Sequence, residues 1–188
     1  MNSLDPYAVS PKEMQELISL QAFLDSSGLD ESLVELLRLN VSRLNGCTHG
    51  IQRHSRRAWL LGESSARLAA LAAWRGCALF TEQERVALEW SEAVMFASRS
   101  RVPDHLHLVV REWFTDMEIV RLTLVVAAMV AWNHVELTFS HPGPQPPFDA
   151  ARSRRTESHS HSMFRRPAQE RRASHAHDHS ATNKGIQR

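Results

Sequence analysis

Cysteine is scarce in this chain. The two present in 188 residues, Cys47 and Cys77, are too few for a disulfide framework and lack the spacing of a structural zinc site. Alternation of apolar and polar residues over strand length is absent, which leaves helix as the regular structure available. Long apolar runs are missing too. The most apolar segment, Leu122 to Trp132, is well short of the ~20 residues that span a bilayer, so no membrane association is expected. No phosphate loop, flavin or nicotinamide fingerprint, or Ser-His-Asp order occurs, so no cofactor and no metal is expected. Net charge is close to zero, at +1, and unevenly spread. Residues 141–188 hold nine Lys/Arg against four Asp/Glu, leaving thirteen against seventeen in 1–140. A mildly acidic body gives no reason to expect nucleic acid as a partner. The first apolar run is broken by Asp5, Lys12, Glu13 and Glu16, unlike a signal peptide. A cytoplasmic location with reduced thiols is the expectation.

Helix signals fill residues 1–140. Ser10-Pro11-Lys12-Glu13 reads as a capping box with proline at the first helical position, predicting a helix from about 11 to 25 that Ser26-Ser27-Gly28 ends. Asp30 caps a second helix carrying Leu33, Leu36, Leu37, Val41 and Leu44 at helical spacing, with Glu35 amid the leucines, and Asn45-Gly46 closes it. A third helix opens at the Cys47 stretch and ends at Gly62. A short one runs from Ser64 to Trp74, and Thr81-Glu82-Gln83-Glu84 caps a fifth. Pro103 and Asp104 start a sixth towards Trp113, and Thr115-Asp116-Met117-Glu118 heads a long apolar helix ending near Phe139. The expected fold is all-α, a domain of about six to seven helices over 1–140. From His141 the composition turns to Pro, Ser, His and Arg, too poor in large apolar residues to offset chain entropy, so 141–188 is expected to be a disordered tail. Six of the eleven histidines fall there, and they read as a solvated basic segment rather than a metal site.

The chemistry concentrates in Asn45-Gly46-Cys47-Thr48-His49-Gly50-Ile51-Gln52-Arg53-His54. Orphan N–H groups and the dipole at a helix start favour a thiolate, so Cys47 is expected to be more acidic than a free cysteine. His54 lies on the same face, about 10 Å further along the axis, with Gly50 between. Against this stands the tendency of cysteine to serve as an inert buried filler. For Glu35 the plain alternative is an exposed helix glutamate, and its leucine neighbours argue for partial burial. Arg53, Arg56 and Arg57 either share a solvated face with His54, attract an anion, or pair with Glu35. The five tryptophans sit on apolar stripes and read as core or subunit-contact residues.

Leu36-Leu37-Arg38-Leu39 leading into Ser42-Arg43-Leu44-Asn45-Gly46-Cys47 resembles the carboxymuconolactone decarboxylase/alkylhydroperoxidase D (AhpD) family. Ala72-Ala73-Trp74-Arg75, Thr81-Glu82-Gln83-Glu84-Arg85 and Ala131-Trp132-Asn133 add to it, so that the likeness runs from about Pro6 to Phe139. The resemblance implies an all-α domain assembling into trimers or hexamers, with a thiol site at a helix start. In peroxidase members a Cys-x-x-Cys pair is served by a glutamate and two histidines. Glu35, His49 and His54 fall on those three positions and Cys47 on the first cysteine. Gly50 stands where the second, peroxide-attacking cysteine belongs.

Three functional readings follow. In the leading one the chain is an AhpD-like thiol peroxidase, weakened by the missing cysteine, with Cys47 as thiolate, Glu35, His49 and His54 moving protons, a hydroperoxide as substrate and an external thiol as reductant. Restoring cysteine at position 50 should then raise turnover with a dithiol. In the second it is a decarboxylase-type acid–base enzyme acting on a lactone acid through Glu35 and His54. In the third it is a non-catalytic oligomeric scaffold.

Overall fold

The computed structural model describes residues 4–139, all of whose regular structure is helical. The expected disorder of 141–188 lies outside the described residues. Helices α1 (Pro6–Val9), α2 (Pro11–Asp25), α3 (Glu31–Asn45) and α4 (Thr48–Leu60) come first. Then follow α5 (Ser65–Ala70) with a 3-10 segment (Leu71–Gly76), α6 (Glu82–Met95), α7 (Asp104–Arg111) and α8 (Asp116–Phe139).

Most predicted caps are made. The Asp30 side chain accepts the Leu33 N–H at 2.9 Å. Thr81 and Glu84 form a reciprocal box, and so do Thr115 and Glu118. Ser10 does something else: its hydroxyl donates to the Glu13 carboxylate at 2.6 Å. The reason is α1, a single turn the sequence did not announce, which Asp5 caps and whose end Ser10 closes by donating its N–H to Pro6. Closing α1 leaves Ser10 at φ −135° and ψ 60°, away from the extended angles from which a side chain caps, and its hydroxyl makes no cap bond to α2. The helix predicted over Ser64–Trp74 is α-helical only as far as Ala70 and goes on as a 3-10 segment kinked at Ala73.

The middle of α3 is buried on every side: all residues from Leu33 to Ser42 lie inside, four of them polar. It packs on α4, α6 and α8. At 24 residues α8 is long and apolar enough to cross a membrane by length and composition, which the eleven-residue apolar segment did not suggest. In this fold it is the helix on which α2, α3, α6 and α7 pack. Leu122, Val125, Met129, Trp132 and Glu136 form its buried stripe, while Met117, Val120 and Leu124 are left uncovered in the single chain. Trp74, Trp90 and Trp132 are core residues, whereas Trp59 is 59% exposed at the end of α4.

The α3–α4 hairpin positions the site. Gly46 ends α3 at φ +71°, a left-handed turn that glycine makes without Cβ strain. The Cys47 N–H returns to the Ser42 carbonyl at 2.9 Å, and α4 starts at the next residue. Running back along α3, α4 sets Gly50 against Ser42 and His54 against Glu35.

Candidate functional site

Glu35 is 2% exposed, and both of its oxygens are partnered. Oε1 accepts Arg38 at 3.0 Å and faces Arg57 Nε at 3.2 Å, while Oε2 meets His54 Nδ1 at 2.8 Å. Burial alone pushes such a carboxyl up. The His54 hydrogen bond, then the electrostatic pull of His54 and after it the Arg38 and Arg57 guanidiniums, outweigh burial and bring it down from 4.5 to about 2. Partial burial was the expectation; full burial with three cationic or donor partners is what the fold supplies. Arg38 is itself pinned by Asp25 at 2.5 Å and by the Gln21 carbonyl at 3.0 Å.

His54 is 5% exposed. Burial lowers its pKa below 6.5, against the opposing pull of Glu35, so it is neutral near pH 7. Because an ionised carboxylate only accepts, the His54 proton sits on Nδ1 and faces Glu35, and Nε2 keeps its lone pair. That nitrogen has no hydrogen-bond partner among the described residues. The ring lines a small cleft of about 30 Å³, shared with Gln21, Arg38, Arg53, Arg57 and Trp132.

Cys47 belongs to a different cluster. It caps α4, accepting the Gly50 N–H at 3.3 Å, and its thiol donates to Glu136 Oε2 at 3.1 Å. The other oxygen of Glu136 takes Arg53 at 2.7 Å and the Trp132 indole N–H at 2.9 Å. Arg53 also lies over the Trp132 ring, 5.7 Å from its centre. The expectation of an acidic thiol is corrected here. Cys47 is 1% exposed, and burial, the hydrogen bond to Glu136 and that carboxylate's charge push it up to about 11, although the Gly50 N–H and Arg53 pull the other way. A helix start favours a thiolate only where the sulfur is not also facing an anion. Glu136 in turn is held ionised: burial raises it, and Arg53 and its hydrogen-bond donors more than compensate.

Of the four residues singled out in the sequence, the structure joins Glu35 and His54. Cys47 hydrogen-bonds to neither of them, although Arg53 and Trp132, which line the cleft beside His54, also hold the Glu136 that Cys47 meets. His49 is half-buried on the first turn of α4 and makes no hydrogen bond with Cys47, Glu35 or Glu136. Cys77 is a half-buried free thiol packed against the main core.

Sequence reasoning missed Glu136, Arg38 as a ligand of Glu35, and Gln21. The signal was present for two of them. Gln21 continues the α2 stripe of Met14 and Ile18, and Glu136 continues the α8 stripe of Leu122, Val125, Met129 and Trp132, each a polar residue at an apolar register.

Position 50 is closed. A Cβ there would lie 2.5 Å from Ser42 Oγ and 3.0 Å from both Ser42 Cβ and Asn133 Oδ1. A glycine-to-alanine change inside a helix ordinarily stabilises by about 1 kcal/mol. At Gly50 the overlap reverses the sign, and Gly50→Ala should destabilise by about 1–3 kcal/mol, recovered in part by adding Ser42→Ala. Urea midpoints of the single and double variants check this, and a Gly50→Ala midpoint at or above wild type refutes it. The same overlap bears on cysteine at 50, expected to raise turnover with a dithiol: Ser42 has to move before that side chain fits.

A sequence profile of the carboxymuconolactone decarboxylase family matches residues 11–93. The chain is 30% identical over 135 residues to YdfG, an uncharacterised protein of Bacillus subtilis (strain 168), covering 72% of this chain and 92% of that one. A crystal structure from Agrobacterium tumefaciens, described as a protein of unknown function and proposed as the antioxidant defence protein AhpD, superposes with a TM-score of 0.72. It shares 28% identity, over 77% of this chain and 99% of that one.

Proposed function

The chain belongs to the carboxymuconolactone decarboxylase family, and from that premise we propose that it is an acid–base enzyme whose working pair is Glu35 and His54. One observation carries the reading: a neutral, buried histidine fixed through Nδ1 by an ionised carboxylate, with its other nitrogen unpartnered at a cleft. Such a nitrogen is a general base. Proton uptake makes an imidazolium that the Glu35 charge stabilises, and the proton is then returned to product. A small lactone acid, the decarboxylase-type substrate, suits the chemistry once the cleft opens beyond its present volume of about 30 Å³, with Arg53 and Arg57 in its lining to meet an anion. The experiment compares variants under that assay. His54→Gln should lose at least ~100-fold in kcat/KM, and Cys47→Ser should keep most of it. Survival of activity in His54→Gln would end the proposal.

The AhpD-like peroxidase reading stays as the second, because the Cys47 thiol already faces a carboxylate able to take its proton. There Cys47 would attack the hydroperoxide, yielding an alcohol and a sulfenic acid that external thiols reduce. Loss of peroxide consumption in Cys47→Ser is its signature. The high position of the thiol argues against it at neutral pH.

A further inference from the structure

We propose that Gln21 and Arg38 form a two-donor seat for a carbonyl or carboxylate oxygen opposite His54 Nε2, so that the cleft takes compounds carrying such an oxygen next to an acidic hydrogen. The proposal rests on the proton-transfer reading and names what that site binds.

Three nitrogens of buried residues lining the same cleft lack a hydrogen-bond partner among the described residues: Gln21 Nε2, Arg38 Nε and His54 Nε2. The packing closes all three to solvent, so a ligand has to part the cleft of about 30 Å³ to reach them. They come from three helices, α2, α3 and α4. Their roles are fixed by their neighbours. Arg38 Nη2 donates to Gln21 Oε1 at 3.0 Å, and a guanidinium has nothing to accept with, so the Gln21 amide presents N–H rather than oxygen. Arg38 is held by Asp25 and Glu35 through Nη1, which leaves its Nε–H as a donor. His54 keeps a lone pair on Nε2 because Nδ1–H faces Glu35. Leaving such groups unsatisfied costs free energy, so a ligand that answers all three gains specificity as well as affinity. The complementary molecule accepts twice at one oxygen and donates once from a neighbouring atom.

The chemistry follows. His54 Nε2 takes the acidic proton, the electron pair of the broken bond moves towards the carbonyl carbon and onto its oxygen, and the two N–H groups hold the charge that develops there. Return of the proton from the imidazolium, to the same atom or to another along the conjugated system, closes the step with no oxidant or reductant.

Glycolate is a suitable probe, a carboxylate beside a hydroxyl donor. Titrated into the full-length, nitrogen-15-labelled protein, it should shift the His54 ring nitrogens and the Gln21 side-chain amide saturably. Acetate, which lacks the donor, should bind more weakly, and ethanol not measurably. Gln21→Glu keeps the oxygen that Arg38 needs while replacing the donor, and should weaken glycolate at least ~tenfold. Gln21→Leu should do the same if the acidic variant fails to fold. Absence of saturable shifts, meaning that the cleft holds water only, overturns the proposal, and so does unchanged affinity in the folded Gln21 variants. Activity surviving in His54→Gln would instead sink the proton-transfer reading, and glycolate binding through Gln21 would still be read out independently.

Discussion

Glu35→Gln is expected to lower stability by about 3–5 kcal/mol near pH 7, because removing one member of a buried charge network strands the others. Arg38 and Arg57 keep at most a neutral amide oxygen in place of the charged one they share, and His54 then faces an amide N–H instead of the acceptor that orients it. The pH dependence is the sharper test. Glu35 is held at about 2 in the fold against an ordinary 4.5, so the unfolded chain binds its proton first on acidification. The stabilisation is therefore complete above about pH 4.5 and is lost as pH falls towards 2. The shift corresponds to roughly 3 kcal/mol. His54 has the same sign at higher pH: its folded value lies below 6.5, so neutral His54 favours the fold above 6.5 and begins to oppose it below. Wild-type stability should thus decline in two stages on acidification, the first near pH 6. The gap between wild type and Glu35→Gln should narrow only below about pH 4.5. Denaturant midpoints at several pH values measure this, and a gap that closes already at pH 6 would contradict the assignment of charge to Glu35.

The helical class and most helix ends were legible because they depend on local chemistry: Asp30, Thr81 and Thr115 cap what they should, and Gly46 turns where it should. Half of the site was legible for the same reason. Glu35 and His54 lie on helices joined by a two-residue turn, so their meeting follows from the hairpin. The other half depends on which distant helix covers each residue, and nothing near Cys47 in the chain says that Glu136, 89 positions on, faces its sulfur. The local rule for a helix-capping thiol was sound and was overruled by a tertiary neighbour of the wrong charge. Gly50 illustrates the complement. As a missing cysteine it was visible at once, but only the packing of Ser42 and Asn133 shows that no side chain is tolerated there as the helices stand.

That overruled thiol gives the second large effect. With Cys47 at about 11, its thiolate fraction near pH 7.5 is smaller than that of an ordinary cysteine at 8.5 by about 300-fold. Iodoacetamide should therefore modify the native protein once, at the half-buried Cys77, while both cysteines react in denaturant. The Cys47 rate should keep climbing with pH until about 11 rather than levelling near 8.5. Glu136→Gln removes the anion that receives the thiol proton while leaving an oxygen for Arg53 and Trp132. In that variant the Cys47 rate at pH 7.5 should rise by about tenfold or more, since deleting a charge-assisted acceptor is worth ~1.5–3 kcal/mol. Stability carries the same information with its own sign. A thiol raised in the fold stabilises it below pH 9, and that contribution is lost as pH rises through 11, so alkaline unfolding should begin later in Cys47→Ser than in wild type. Faster native labelling of Cys47 than of Cys77 would mean that the thiol escapes Glu136 in solution. It would hand the site back to the peroxidase chemistry, whereas slow labelling that Glu136→Gln relieves removes the thiol from consideration at neutral pH and keeps the proposal of proton transfer through Glu35 and His54 standing for its own assay.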